Sequence, residues 1–412
     1  MANALLTPLV YAKTALALLK NNLVLGRLVD SSLTKMFNQV GDTIYVKRDV
    51  NFAIRSGAIA QMQDVIEGRV PVTIDKQKGI DIKFTDLQEA LSVTDLLRSN
   101  IMVSKSAQLA QQIDYDLAQL TLEYPSWVGT PGNLINSPSD FNIGITQLNN
   151  LAVPQNDRSA ILSPNDYGAM VSFFTTPAFN DNDTNLSALR RAKLPMLMGA
   201  DAYMTQNVPY FTAGSRTASG ASQVNGANQN VTYASVADGY TQTFLIKGLT
   251  NGHTIKKGDI FSIVSGTAVN FVNPRSKVDT GIAAQFVVLA DVTVVGTTAT
   301  VTIANPIITS GPYQTVTAAP DDSASITWLG TASTTYLRNS QFVGDSLKLV
   351  WAKPTMPFSG QTAYASDPDT GITIRYWRES DIINDEHLHR WDVIYGVKNA
   401  DRRMGTSISG TA

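Results

Sequence analysis

TIYVKRDVNFAIR, residues 43–55, and VPVTIDKQKGIDIKF, residues 70–84, carry one pattern. In the first run Ile44, Val46, Val50, Phe52 and Ile54 take even positions, and Tyr45, Lys47, Asp49, Asn51 and Arg55 take odd ones. Val70, Val72, Ile74, Ile80, Ile82 and Phe84 repeat it against Thr73, Asp75, Gln77, Asp81 and Lys83. A period of two marks a strand with one apolar face. The runs predict a β-hairpin well beyond the usual strand length of about five or six residues. A lone ribbon is marginal in water, so this face needs a cover on its own domain or on a neighbouring subunit, and its length favours the neighbour. Arg48, Arg55, Asp64, Glu67, Arg69, Lys76 and Lys78 at its waist and tip are candidates for ion pairs between subunits; a solvated face is the plain alternative.

After the hairpin, Thr85-Asp86-Leu87-Gln88 fits a capping box, and Ser92–Asp95 offers a second start. Leu97, Ile101, Leu109, Ile113, Leu117 and Leu120 then recur at helical steps until Tyr124-Pro125. A helix from about Thr94 to Glu123 would be a strut roughly 45 Å long. Before the hairpin, Thr7-Pro8 suits a helix start, and Leu9, Ala12, Leu16 and Leu19 form a stripe. Lys13 breaks the apolar run, so a membrane span is not expected, and Lys13 becomes a further contact candidate. The stripe needs a partner surface, its own domain or another.

Farther on, short elements alternate. Phe141, Ile145, Leu148 and Leu151 mark a helix, Ala160–Leu162 a strand, and Asn165–Phe174 a helix opened by Ser163-Pro164. Another helix is expected near Thr184 and Asn185, with Leu186, Leu189 and Arg190. From residue 213 to 340 the texture changes: 13 of 128 residues are charged, about 10%, against 53 of the other 284, about 19%. Alternating runs at Gln242–Ile246, Ile260–Val264, Ala284–Leu289, Val292–Val295 and Ala299–Ile303 are separated by turns such as Asn251-Gly252. Short strands at such spacing predict a small antiparallel barrel. It is inserted in an α+β frame, because strand and helix texture resumes at Phe342–Trp351 and residues 372–396.

Composition narrows the chemistry. The chain has 412 residues, 32 Lys+Arg against 34 Asp+Glu, three His and no Cys. Disulfides, thiolate metal sites and cysteine nucleophiles are excluded, and a surface built to grip nucleic acid is disfavoured. Only five acids are Glu, and none lies between Glu123 and Glu379, which favours strand and turn over solvated helix there. His387 and His389 beside Asp385 and Glu386 share a strand face and form the best metal candidate, but Trp391, Val393 and Tyr395 continue that face, so packing or interface contact is favoured. Asp367-Pro368-Asp369-Thr370-Gly371 reads as a turn rather than a calcium loop. Neither a phosphate-cradling loop nor a dinucleotide fingerprint is present, and Asn182, Asn185 and Asn230 head weak glycosylation sequons. No cofactor and no metal are expected.

The order of arm, long hairpin, strut helix, split α+β region and inserted β-domain resembles the major capsid proteins of tailed bacteriophages, and among them the P22-type coat proteins. DTIYVKRDV (42–50) is similar to the start of that family's extended loop, Phe84–Tyr124 to its spine helix, and TIKKGDIFSI (254–263) to its telokin-like insertion. DSLKLVWAKPTM (345–356) and RWDVIYGVKNA (390–400) are similar to its closing segment. The resemblance implies an HK97-like capsid fold divided into an N-terminal arm (1–41), an extended loop (42–84), a spine helix with the first part of the peripheral and axial domains (85–212), an inserted β-barrel (213–340) and the remainder of the peripheral and axial domains (341–412). It implies a non-enzymatic coat protein that forms hexamers and pentamers of an icosahedral head, assembled in the host bacterial cytoplasm. Its loop and arm would overlap neighbours, and its partners would be scaffolding protein, a portal protein at one vertex and, weakly, packaged double-stranded DNA. Lys–Asn cross-links, known in some relatives, are not expected here. The acidic hairpin used between capsomers finds its nearest match at Asp238-Gly239, which makes Asp238 a contact candidate. Three other readings compete: a tail or receptor-binding protein with a carbohydrate-binding β-domain, a metal-dependent hydrolase using His387 and His389, and a non-viral encapsulating shell.

Overall fold

The computed structural model describes residues 8–36, 43–55, 57–60, 62–85, 100–174, 194, 197–216, 222–264 and 266–411. The expected capping box after Thr85, the helix start near Thr94 and the helix near Thr184 lie outside these residues, as do Asn182 and Asn185. The chain divides into two compact units, one from Met1–Tyr45, Pro71–Leu117 and Leu347–Lys398, the other from Val46–Val70, Ala118–Ser346 and Asn399–Ala412.

In the first unit, Pro8 opens a helix to Asn22, as its fixed φ and missing N–H suit a first helical position. Ala12, Ala15 and Leu19 are buried against the strands Gln361–Ser366 and Thr373–Asp381, and Tyr11 stacks on Tyr376 at 5.2 Å. Lys20 meets Asp367 at 2.9 Å. The N-terminal stripe is therefore covered by its own unit at Ala12 and Leu19, while its first member, Leu9, stays exposed beside Val10. The small Ala12 and Ala15 let the helix sit close to the sheet. Asp30 braces the following segment by pairing with Lys348 at 2.7 Å.

The sheet beneath carries the main correction to the long ribbon. Thr43–Lys47 pairs with Arg69–Thr73. The next strand, Lys76–Thr85, pairs instead with Glu386–Asn399, with Ile80 opposite Trp391 and Ile82 opposite His389. The alternation holds residue by residue, even positions half-buried and odd ones exposed. Its hydrogen-bonding partner is a strand some 300 residues away in the same unit rather than the other arm of the hairpin. The helix Asn100–Leu120 follows, ending in the 3-10 turn Thr121–Glu123. Its Asp116 accepts from Lys76 Nζ at 2.9 Å and from Tyr395 OH at 2.8 Å. Its Asp114 accepts from the backbone N–H groups of Val24 and Gly26, at 2.7 and 3.0 Å. Burial raises the Asp114 carboxyl to about 6 despite those bonds.

In the second unit, a five-stranded sheet runs in the order Trp127–Val128, Gly405–Ile408, Asn339–Val343, Arg158–Leu162 and Asp201–Met204. The helix Pro138–Asn150, capped by Ser137 Oγ accepting from Asp140 N at 3.2 Å, lies on Gly405–Ile408. Gly144 permits that approach, since a Cβ there would stand 2.4 Å from Ile408 Cγ2. The helix Pro164–Phe174 adds Tyr167 and Met170 to the same core. The expected strands of the β-rich stretch are present, among them Thr241–Lys247 paired with Thr298–Ala304 and Ile260–Ile263 paired with Gln285–Val287. They enclose their own core of Phe244, Phe261, Phe286, Ile303 and Trp328. Tyr210–Thr212 pairs antiparallel with Thr335–Leu337 where the chain enters and leaves this stretch.

Candidate functional site

The hairpin beyond its root departs from regular pairing. Arg48 N donates to Gly68 O at 2.8 Å, and the described residues from 49 to 67 contain no strand. Instead, the Gln63 amide takes the place of a strand partner: it accepts from Ala53 N at 2.8 Å and donates to Ala53 O at 2.7 Å. The segment is held open and apolar. Ile54, Ile59 and Met62 are 95%, 84% and 94% exposed, and Phe52 and Val65 are exposed beside them. Such a cluster on a folded chain marks a surface meant for contact.

The charged candidates divide into those engaged within the chain and those facing outward. Arg69 grips Asp238 with Nε and Nη2, both at 3.1 Å. Lys47 meets Glu67 at 2.7 Å. Lys76 is held by Asp116. Arg48 is buried, 3.4 Å from Asp401 and stacked 4.0 Å above the Tyr240 ring. Facing outward are Lys13, on the exposed side of the N-terminal helix, Asp64, and Arg55, which donates to Gly57 O. Lys78 is half-buried and has no ion pair among the described residues.

Beneath the hairpin root lies a network that composition does not reveal. Asp401 is bound by Arg403 through Nε at 3.0 Å and Nη2 at 2.7 Å, with Arg48 as its second cation. Burial opposes ionisation of Asp401, but the two guanidiniums outweigh it and hold the carboxyl far below its usual range. Glu123, the last Glu before the long Glu-free stretch, takes Lys257 and Arg402, each at 2.9 Å. Several charges of the β-rich stretch are similarly committed. Arg216 meets Asp259 at 2.6 Å with both side chains buried. Arg338 donates to Gly258 O and Ser407 Oγ at 2.8 Å, and burial lowers it to about 9 with Asp259 opposing. For Arg216, Asp259 and Arg338 the low charge density of residues 213–340 was the available signal, since a charge buried in an apolar stretch is costly unless it is paired or hydrogen-bonded.

Of the two histidines, His389 belongs to packing. His389 is buried, its Nδ1 2.8 Å from Tyr376 OH, with Phe84 and Trp391 around the ring. Burial, with Arg378 and Lys105 nearby, pushes it down to about 4. His387 Nδ1 lies 2.8 Å from Ser380 Oγ. No group of three metal-binding side chains occurs among the described residues. Asp367 binds Lys20 and the Thr370 N–H, as a turn requires.

A chain whose charges brace an extended, apolar-tipped loop has the build of an assembly protein. It belongs to the P22 coat protein family: the family model, described as P22 coat protein, gene protein 5, matches residues 9–410. It is a major capsid protein that forms the phage head shell, self-assembling into an icosahedral particle, and its place is the virion. With that membership the α+β architecture is the HK97-like capsid fold expected from the resemblance. Similar solved structures include one from Mycobacterium phage Che8, 10% identical, TM-score 0.47, over 93% of this chain and 90% of that one. The capsid of cyanophage P-SCSP1u is 10% identical, TM-score 0.43, over 93% and 86%. The mature capsid of bacteriophage PhiM1 is 10% identical, TM-score 0.43, over 90% and 82%. No curated protein matches the chain.

Proposed function

We propose that the subunit works without enzymatic activity, by laying its hairpin tip on a neighbouring copy within hexamers and pentamers. The exposed row Phe52, Ile54, Ile59, Met62 and Val65 on a rigidly rooted loop carries this reading. Lys13, Arg55, Asp64 and Lys78 are the charges left to face a neighbour, while Arg48, Glu67, Arg69 and Asp238 brace the loop that reaches it and Lys76 is held by Asp116. Scaffolding protein, a portal at one vertex and weak, non-specific contact with packaged double-stranded DNA complete the partners, and assembly takes place in the host bacterial cytoplasm. Near-neutral net charge supports this, because a lining that bound phosphates strongly would hold the genome fast.

The same reading divides the chain into an arm (1–41), loop (42–84), spine helix with the first peripheral and axial part (85–212), inserted barrel (213–340) and closing part (341–412). The strand pair at Tyr210–Thr212 and Thr335–Leu337 supports the two insertion boundaries. Sedimentation of the purified chain with and without its scaffolding protein tests the function. Shell-sized species are expected; a monodisperse monomer under every assembly condition would overturn it.

A further inference from the structure

The sheet of the first unit has a covered face and an open one. On the covered face Tyr11 stacks on Tyr376, and Met102 and Leu109 gather with Ile80 and Trp391. Directly opposite residues of paired strands share a face. Across the other face Lys83, Leu388 and Glu379 therefore form one row, and Asp81, Arg390 and Trp377 the next. All six line a recess of about 500 Å³, in which Leu388 is exposed. Apolar surface continues around it. Trp377 Nε1 donates to Ser359 O at 3.0 Å, which brings the loop carrying Phe358 to the rim. Ile382 and Ile383 make the turn between the two strands just past Glu379, and both are exposed, as Phe358 is. The charges of the recess are paired except for one. Lys83 meets Glu386 at 2.7 Å, and Arg390 meets Asp392 at 2.7 Å and Asp81 at 3.7 Å. Glu379, half-buried opposite Leu388, has no ion pair among the described residues.

An occupant that fits this recess brings apolar side chains and one cation. The hairpin tip carries both: Ile54, Ile59 and Met62 are exposed, and among them stands Arg55, whose guanidinium reaches the Gly57 carbonyl and no carboxylate among the described residues. We propose that the recess receives the hairpin tip of a second copy, with Arg55 of the incoming tip on Glu379. The proposal rests on the reading that the tip meets a neighbouring copy, and it names the surface that takes it. Donor and acceptor are different surfaces of one chain, so the contact runs head to tail, the kind that closes into rings such as hexamers and pentamers. Two tips laid on each other would leave the recess, its apolar rim and Glu379 bare.

Charge exchange in the assembly reaction tests this, with shell yield read by sedimentation. Arg55→Glu and Glu379→Arg each set like charges together and should each cut the yield roughly tenfold, and the double variant should recover most of it. Cross-linking gives a second reading that does not depend on yield. The chain has no Cys, so Arg55→Cys with Glu379→Cys supplies the only thiols. Its oxidised shells should give ladders of linked chains, and each single Cys variant should stay monomeric on a denaturing gel. Unchanged yields in the single charge variants, no recovery in the double variant, or shells without a ladder would each overturn the recess as the receptor. Rescue of Arg55→Glu by Asp64→Arg, or a dimer from Arg55→Cys alone, would overturn it in favour of tips paired with each other. In all these cases the tip contact itself stands as long as Ile54→Asn with Ile59→Asn lowers the yield; if that variant assembles like wild type, both readings fall.

Discussion

Arg69 and Asp238, 169 positions apart, meet in a two-pronged ion pair with both nitrogen–oxygen distances at 3.1 Å. The backbone joins at the same point, where Gly239 N donates to Arg69 O at 3.0 Å. Two residues that the sequence marks as contacts between subunits thus fix the hairpin root to the β-rich stretch of one subunit. Both side chains are more than half exposed, so the pair is worth about 0.2–1 kcal/mol. In a double-mutant cycle, Arg69→Ala and Asp238→Ala should couple by about 0.5 kcal/mol in denaturant unfolding. Exchanging the two charges should recover most of it. Strict additivity of the two single effects would show that the pair contributes nothing.

Asp401 should govern acid stability of the second unit. Its folded carboxyl lies below the unfolded one, because Arg403 and Arg48 more than offset its burial. The stabilisation is therefore complete above the ordinary carboxylate range and is lost as pH falls from about 4 towards the folded value. Asp401→Asn should lower stability at pH 7 and flatten the decline below pH 4 in pH-dependent urea unfolding. An unchanged acid limb would contradict this.

Lys105 is a buried cation without a hydrogen-bond partner, its Nζ 3.2 Å from the centre of the Trp391 ring. Burial lowers it to about 7, with Asp81 opposing. A cation whose folded value is depressed destabilises the fold at low pH, and stability rises as pH climbs from about 7 towards the unfolded lysine value. The ring attraction offsets part of the cost. Lys105→Met should stabilise the protein by about 1 kcal/mol at neutral pH and remove that rise. Calorimetry between pH 6 and 9 measures both effects; a destabilised variant would mean that the charge is needed where it lies.

The tip should separate folding from assembly. Ile54→Asn with Ile59→Asn removes apolar surface that is already in water, so monomer stability should change by less than about 0.5 kcal/mol. Shell yield should fall sharply. Equal yields from wild type and variant would remove the tip from the interface.

Strand character at 76–84 was legible because alternation separates a half-buried face from an exposed one residue by residue. Its partner was not, because periodicity carries no address, and Glu386–Asn399 lies far along the chain. The first run misled for a related reason: Phe52 and Ile54 alternate as a strand would, yet the Gln63 side chain occupies the hydrogen bonds a partner strand would make to Ala53. Pro8 and Ser163-Pro164 located helix starts, since capping is local chemistry. The candidate charges were visible as residues but not as pairs. Arg69–Asp238 and Arg48–Asp401 exist only once the chain is folded.

A cryo-electron microscopy map of the assembled shell decides where the hairpin tip rests. Residues 52–65 should lie across a neighbouring subunit, with Ile54, Ile59 and Met62 buried there and Arg69 still paired with Asp238 of its own chain. A tip folded back on its own subunit, with those side chains facing solvent in the shell, would contradict that arrangement.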